Sequence, residues 1–360
     1  MFVAWRDLRF AKGRFTLMGT VIVLITLLVG LLSGLTAGLA RENISAITGL
    51  PADRLAFAAP PSGQSVSFTN STVTESQWRD WAGRPGVASA EPLGIRTLNA
   101  TAGDRTAALS AFGTEPGTAL APESGKLGPG RAVLSESAAE ELDVTVGDAV
   151  DLGPVNATVA AVSGDASYSH TPVVWTSLDD WQKLGHSGAT AQQQATVIAL
   201  SGSGVDWTGG DAAARTSSKT PDEALTAIGS YQAENGSLQM MRGFLFAISA
   251  LVIGAFFTVW TIQRSGDVAV LKALGASTPY LLRDALGQAV VMLGIGTLTG
   301  TALASGIGAL ISGGDVPFVL QPMTVLGPAA VIIVLGVLGA ALSIRRITAV
   351  DPLTALGSAR

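Results

Sequence analysis

The chain has 360 residues, 48% of them hydrophobic and only 14% charged, and its mean hydropathy is +0.43. Soluble domains carry about 25% charged residues, so the composition points to a membrane protein. With no Cys, a disulfide framework, a thiolate metal site and a Cys nucleophile are all excluded. The net charge of −5 hides a segregation of charge that says more than the sum.

Residues 1–15 interleave Phe2, Val3, Trp5, Leu8 and Phe10 with Arg6, Arg9, Lys12 and Arg14. This suits a short interfacial helix, with Trp5 at the headgroups and the basic groups on anionic lipid. Apolar runs at 16–40, 243–262, 285–312 and 325–344 each approach the ~20 residues of a spanning helix. The first is about 25 residues long, beyond the 7–15 of a signal-peptide core, and reads as an uncleaved anchor. It carries Gly30, Gly34 and Gly38 at spacing four. Such a stripe admits a second helix at close range, from the same chain or from a second copy. The third run repeats the device with Gly296, Gly300, Ala304 and Gly308.

Between the first two spans, residues 41–242 read as an α+β domain. Residues 54–59, 65–69, 132–134, 156–162 and 196–200 are expected strands. Thr74 caps a helix with Trp78 and Trp81 on one face, Ser137 and Glu140 suggest a capping box, and Ser177 caps a helix closed by Gly185. The polar stretch 201–220 reads as a mobile loop. From about Pro221 a helix leads to the second span, with a break expected near Asn235-Gly236. An external loop, 313–324, joins the third and fourth spans, and 345–360 is the tail.

Ten of the 22 Lys and Arg lie in the two ends and in residues 263–284, against Asp7, Asp267, Asp284 and Asp351. The large insert has the other 12 basic residues but 22 acidic ones. By the positive-inside rule both termini and residues 263–284 are cytoplasmic, and the insert is outside. The fold class is therefore membrane α-helical: four transmembrane helices with an extracytoplasmic α+β domain between helices 1 and 2, in the cell membrane.

Residues 263–284 form a charged, helix-forming elbow. Val268, Leu271 and Leu274 make an apolar stripe, with Asp267 and Lys272 on the polar side. Gly275 sits where a helix C′ residue belongs, and Ser277 caps a following helix that carries Tyr280 and Arg283. The shape suits docking of a cytosolic partner, or is an ordinary connecting loop. No phosphate-binding loop of the G-x-x-x-x-G-K-[ST] type occurs. Only His170 and His186 are present, without a catalytic neighbourhood, and nothing points to nucleic acid.

Three segments in order carry a family resemblance. Arg264-x-x-Asp267-Val-Ala-Val-Leu-Lys-Ala-Leu-Gly275-Ala-Ser resembles the signature between spans two and three of FtsX-like ABC permeases of the MacB class. Asp267 stands where many members have Glu. Arg345-Arg346-x-x-Ala-Val-Asp351-Pro352-x-x-Ala-Leu356 is similar to the closing motif. Residues 132–148, followed by 156–162, resemble the extracytoplasmic core domain. The resemblance implies a non-enzymatic permease subunit that forms a homodimer and binds two copies of an ABC ATPase, which holds ATP and Mg. Arg264, Asp267, Val268, Leu271, Lys272, Leu274 and Gly275 would then be the coupling helix.

Within the family, Ala4-Trp5-Arg6-Asp7-Leu8-Arg9-Phe10 and the single medium-sized insert look most like the haem-efflux permeases of Gram-positive bacteria (HrtB type). Haem would be cargo, not a cofactor of the chain. Candidate groups at the outer boundary of spans one and two are Arg41, Glu42, Tyr168, Tyr231, Glu234, Met240 and Met241. Tyr and Met are both axial ligand types for haem iron. Each has a plainer reading: Glu234 as a solvated helix end, Met240 and Met241 as packing, His170 beside Tyr168 as a surface residue. Export of another amphiphile (a lipoprotein, peptide or macrolide) and a mechanotransmission device stay open as alternatives.

Overall fold

A computed structural model describes residues 12–185, 193–263, 265–312 and 316–348. The expected interfacial segment before residue 12, His186, Arg264 and the tail beyond residue 348 lie outside the described residues, as do the side chains of Asp267, Arg345 and Arg346. The chain divides into two units: Leu39–Gly236, and the flanking segments up to Gly38 and from Ser237.

Helix α1, Lys12–Thr48, opens the chain. In lipid its amides and carbonyls can pair only with one another, which makes the apolar run helical whatever its β-branched content. The domain follows as β1 (Arg54–Ala58), β2 (Val73–Thr74), α2 (Glu75–Ala82), β3 (Val87–Ala102), β4 (Arg105–Thr114) and β5 (Arg131–Leu134). Next come α3 (Glu136–Leu142), β6 (Ala149–Leu152), β7 (Val155–Val162), β8 (Ser167–Tyr168), β9 (Thr171–Ser177) and α4 (Leu178–Lys183). The remainder is β10 (Gln194–Ala195), β11 (Val197–Gly202), α5 (Trp207–Ala214), β12 (Thr216–Lys219) and α6 (Pro221–Ala224).

The main sheet runs β12-β1-β11-β3-β4-β9-β5-β7-β6, and β6 pairs back onto β3. The pairs Ala100↔Leu152 and Thr101↔Asp151 thus close β3, β4, β9, β5, β7 and β6 on one another. Successive strand residues serve opposite faces. In β5, Ala132 and Leu134 enter one core with Trp81, Leu109 and Leu142, while Val133 enters the other with Phe57, Phe112 and Trp175. In β9 the same alternation sends Val174 to the first and Val173 and Trp175 to the second.

Several expectations give way. Residues 201–220 are not a loop: Asp206 caps α5 by accepting from the Gly209 amide, and Asp211 accepts from Thr216 Oγ1, Ser218 Oγ and the Ser218 amide. Residues 65–69 form no strand. The cap of α3 is Ser135, which accepts from the Ala138 amide, whereas Ser137 donates to Asp165.

The other unit continues with α7 (Gly229–Gln263), α8 (Ser265–Ala273), α9 (Thr278–Ile311) and α10 (Pro322–Thr348). Helix α7 is unbroken at Asn235-Gly236: an interior Gly costs only about 1 kcal/mol. Tyr280 and Arg283 lie in the first turns of α9 and not in a separate elbow helix. Helices α1, α7, α9 and α10 are each long and apolar enough to cross a membrane.

Helices α1 and α9 interlock in register. A Cβ on Gly296 would lie 2.7 Å from Ile22 Cγ2, one on Gly300 would lie 2.7 Å from Thr26 Cβ, and one on Gly30 would lie 2.9 Å from Ala304 Cβ. Both helices advance by four residues per contact, so they run parallel. Gly34 and Gly308 both face the ring of Phe318, and Gly38 faces the Pro317 carbonyl. The Val319 amide donates to the Gly34 carbonyl at 3.1 Å. The stripe expected to serve a helix of this chain or a second copy is therefore filled within the chain, by α9 and by the turn before α10. Helices α7 and α10 are likewise parallel: Gly339 approaches Gly254, and Thr258 Oγ1 lies 2.8 Å from Ser343 Oγ.

Gly34→Leu is expected to lower the stability of the single chain by about 1–3 kcal/mol through overpacking. The check is the thermal unfolding temperature in detergent beside the oligomeric state. An unchanged unfolding temperature with lost self-association would reassign the stripe to a contact between copies.

Candidate functional site

In the elbow, α8 ends in the paired bonds of a Schellman motif: the Ala276 amide donates to the Leu271 carbonyl at 2.9 Å and the Gly275 amide to the Lys272 carbonyl at 3.0 Å. Gly275 has φ +91, a left-handed conformation that a side chain would strain. The expected apolar stripe divides. Val268 and Leu271 are half-buried beside buried Ala269, whereas Leu274 is 79% exposed together with Val270. Val270, which the sequence reading passed over, is four residues before Leu274 on the same helical face. Tyr280 is exposed as well. The elbow therefore presents apolar groups to its surroundings, as a docking surface requires.

The second site lies in the inserted domain, where the end of α1, the β8–β9 turn and the start of α7 meet. Ser169 and His170 are the two turn residues, at φ 51 and φ 63, as a type I′ hairpin demands. Each non-Gly residue in this region costs about 1 kcal/mol or more. Hydrogen bonds hold the turn in place. The Ser169 amide donates to the Asn43 carbonyl at 3.0 Å and the His170 amide to the Glu42 carbonyl at 3.3 Å. Ser169 Oγ meets Ser230 Oγ at 2.8 Å, and Ser230 Oγ donates to Asn43 Oδ1 at 3.0 Å. His170 Nε2 lies 2.7 Å from Glu234 Oε2, which also accepts from Asn43 Nδ2 at 3.1 Å. The short contact to a carboxylate assigns the proton to Nε2, so the Asn43 amide donates to Glu234 and not to the ring. On the far side of the ring, Nδ1 is 3.6 Å from Glu42, too long for a direct hydrogen bond.

The expected ligand residues thus separate. Glu42 and Glu234 flank one imidazole. Arg41 faces Asp165 at 3.6 Å with both side chains about half exposed, a pair worth about 0–1 kcal/mol. Tyr231 is half-buried against the core that holds Phe57. Met240 and Met241 lie further along α7 and are exposed. Tyr168 lies apart from these. It is buried between Phe68 and Phe112, with ring centroids at 5.8 and 5.7 Å. Burial pushes its phenol well above the ordinary value, which disfavours the phenolate that ferric iron would need. His170, whose plainer reading was a surface residue, is 31% exposed and paired with Glu234. Asn43, Ser169 and Ser230 carried no sequence signal, because a Ser-His turn lacks the Asn-Gly type of hairpin marker. Glu141 adds to the acidic surroundings: burial, then the Glu42 carboxylate, push its carboxyl upward.

Asn43 is 1% exposed, and its replacement removes one hydrogen-bond partner each from Ser230 and Glu234. Asn43→Ala is expected to cost about 1–3 kcal/mol. Hydrogen exchange at residues 167–171 should then quicken ahead of the sheet strands; unchanged exchange there would remove Asn43 from its holding role.

Comparison with known proteins bears on the family. A model described as MacB-like periplasmic core domain matches residues 15–216, and one described as FtsX-like permease C-terminal matches residues 240–352. The putative hemin transport system permease protein HrtB of Staphylococcus haemolyticus is 27% identical over 360 residues, covering 99% of both chains. The protein of the same description from a Staphylococcus epidermidis strain is 25% identical over 368 residues, again covering 99% of both. The periplasmic region of MacB from Actinobacillus actinomycetemcomitans covers 51% of this chain and 95% of its own, at a TM-score of 0.33 and 13% identity. With the core-domain match alone spanning more than half its length, the chain belongs to the FtsX-like ABC transporter permeases with a MacB-like core domain.

Proposed function

We propose that this chain is the permease subunit of an efflux pump that expels haem from the membrane to the outside, driven by ATP hydrolysis on a separate subunit. The observation that carries the reading is the likeness, over 99% of both chains, to relatives described as hemin transport permeases. The working unit is a homodimer with two ATPases in the cell membrane. Its termini and elbow are cytoplasmic, in keeping with the basic residues concentrated there. The elbow α8 is the coupling helix. Closure of the two ATPases around ATP displaces the elbows, and the long helices carry the movement to the outer leaflet, where the haem slot closes and the ligand leaves.

Haem needs an apolar slot and an axial ligand on iron. Tyr231, Met240 and Met241 supply ligand types on α7, and Glu42 and Glu234 supply carboxylates. Arg41 is the cation offered to a propionate, since its pairing with Asp165 is exposed and weak. A different amphiphile as cargo draws support from a 30% identity over 126 residues with a Pseudomonas putida protein described as a pyoverdine export ATP-binding/permease protein. That match covers 34% of this chain and 19% of the relative.

Titration of the purified permease with haem should give a shifted Soret band, with affinity lowered roughly tenfold in Met240→Ala or Tyr231→Phe, the loss expected when an iron ligand is removed. No spectral change at saturating haem would overturn the haem reading. For the elbow, Leu274→Asp should abolish copurification of the ATPase while leaving membrane insertion and unfolding temperature unchanged. Gly275→Pro should do the same to copurification. Leu271 is half-buried and would confound docking with folding. Normal copurification in both variants would refute the coupling role.

A further inference from the structure

The inserted domain contains a cavity of about 480 Å³, lined by β3, α4, β8, β10 and the loop before β2. This is within the size range of small-molecule sites. Its chemistry is one-sided. Among the described residues that line it, Arg96 is the single charged one.

The arrangement around Arg96 is built by the sheet. Gly94 and Gly113 are paired across β3 and β4, and the Trp181 side chain lies against both, where any Cβ would collide with it. Arg96, two residues along β3 from Gly94, projects from the same face. Its guanidinium carbon sits 5.6 Å from the centre of the Trp181 ring, and the bare Cα of Gly185 leaves room on the guanidinium's flank. The cation is therefore held in place by stacking and shape, with no ion pair to a carboxylate among the described residues.

Donors here have no partner. Trp181 is 6% exposed, and its Nε1 is buried with no hydrogen-bond acceptor; Arg96 Nε is buried and unpartnered too. Native structures satisfy nearly all such buried groups. Tyr168 also lines the cavity, and burial pushes its phenol upward. Thr69, Thr72 and Gln194 add polar groups to the walls.

We propose that this cavity is a binding site for a small organic carboxylate, held by the Arg96 guanidinium that stacks on the Trp181 ring. The planar fork of a guanidinium matches the two oxygens of a carboxylate. One cation balances one negative charge, which favours a carboxylate over a doubly charged phosphate. Phe68 and Ile95 add apolar surface to the lining, suited to a short acyl or aromatic body. The site belongs to the domain itself and does not depend on haem being the exported molecule.

The test uses the full chain in detergent, labelled with 5-fluorotryptophan. The Trp181 fluorine resonance is identified by its loss in Trp181→Phe. Titration with benzoate and with hexanoate should move this resonance saturably. Arg96→Met, which keeps the stack but not the charge, should weaken the response about tenfold or more, with the other Trp resonances unmoved as the control for folding. The proposal is overturned by the absence of a saturable shift with either carboxylate, by a response to inorganic phosphate alone, or by an undiminished response in Arg96→Met.

Discussion

The parallel interlock of α1 with α9 is the constraint on which the membrane unit depends. Lipid tails are as apolar as the helices, so nothing squeezes two helices together as water does; close contact must come from shape. Gly296, Gly300 and Ala304 against Ile22, Thr26 and Gly30 provide that shape without any side chain longer than a methyl on the narrow side. Parallel packing also has a topological consequence. Helix α9 follows directly on α8, so the elbow lies at the end of the bundle where α1 begins. The chain beyond α1 leaves from the other end. Charge asymmetry in the sequence reaches the same arrangement from a separate argument.

The domain obeys a different rule, because water is present. Its sheet has two faces and fills both, so neighbouring residues on β5 and β9 belong to different cores. Closure through β6 and β3 removes edges that would otherwise invite pairing with other chains. The glycines Gly94 and Gly113 are not turn residues. They are flat ground on which Trp181 lies, and the same flatness brings Arg96 beside it.

Legibility in the sequence followed the range of the interactions. The spans were readable because twenty apolar residues are a local signal, and so were Ser177 as a cap and Gly275 at C′, each set within a few residues. The hairpin of β3 and β4 went unread although it forms the centre of the sheet: its residues alternate poorly, with Gly94, Asn99 and several Ala in place of β-branched side chains. The region 201–220 looked like a loop because its order comes from Asp211 reaching forward to Thr216 and Ser218, which composition does not reveal. The use of the Gly34 stripe was unreadable for the same reason, since its occupant, Phe318, lies far away in the chain. Asn43 meets His170 at a separation of 127 residues and Ser230 at 187; no window of sequence contains both partners.

That separation also decides how the root of the domain would yield under load. Three segments meet at Asn43, and two left-handed residues, Ser169 and His170, are held there against their own preference. The bonds are not equal. Glu42 and His170 lie 3.6 Å apart and open to water, so their separation exchanges one weak contact for hydration at a cost of at most about 1 kcal/mol. The shorter contact of His170 with Glu234 is partly exposed as well, and water can replace it. Asn43 is buried and Ser230 half-buried, so parting them leaves the asparagine amide desolvated, at a cost of about 1–3 kcal/mol. A pull that separates the start of α7 from the β8–β9 turn therefore loosens the histidine first and the asparagine last. The acidic rim around His170 is thus the weaker part of this junction, and Asn43 the stronger.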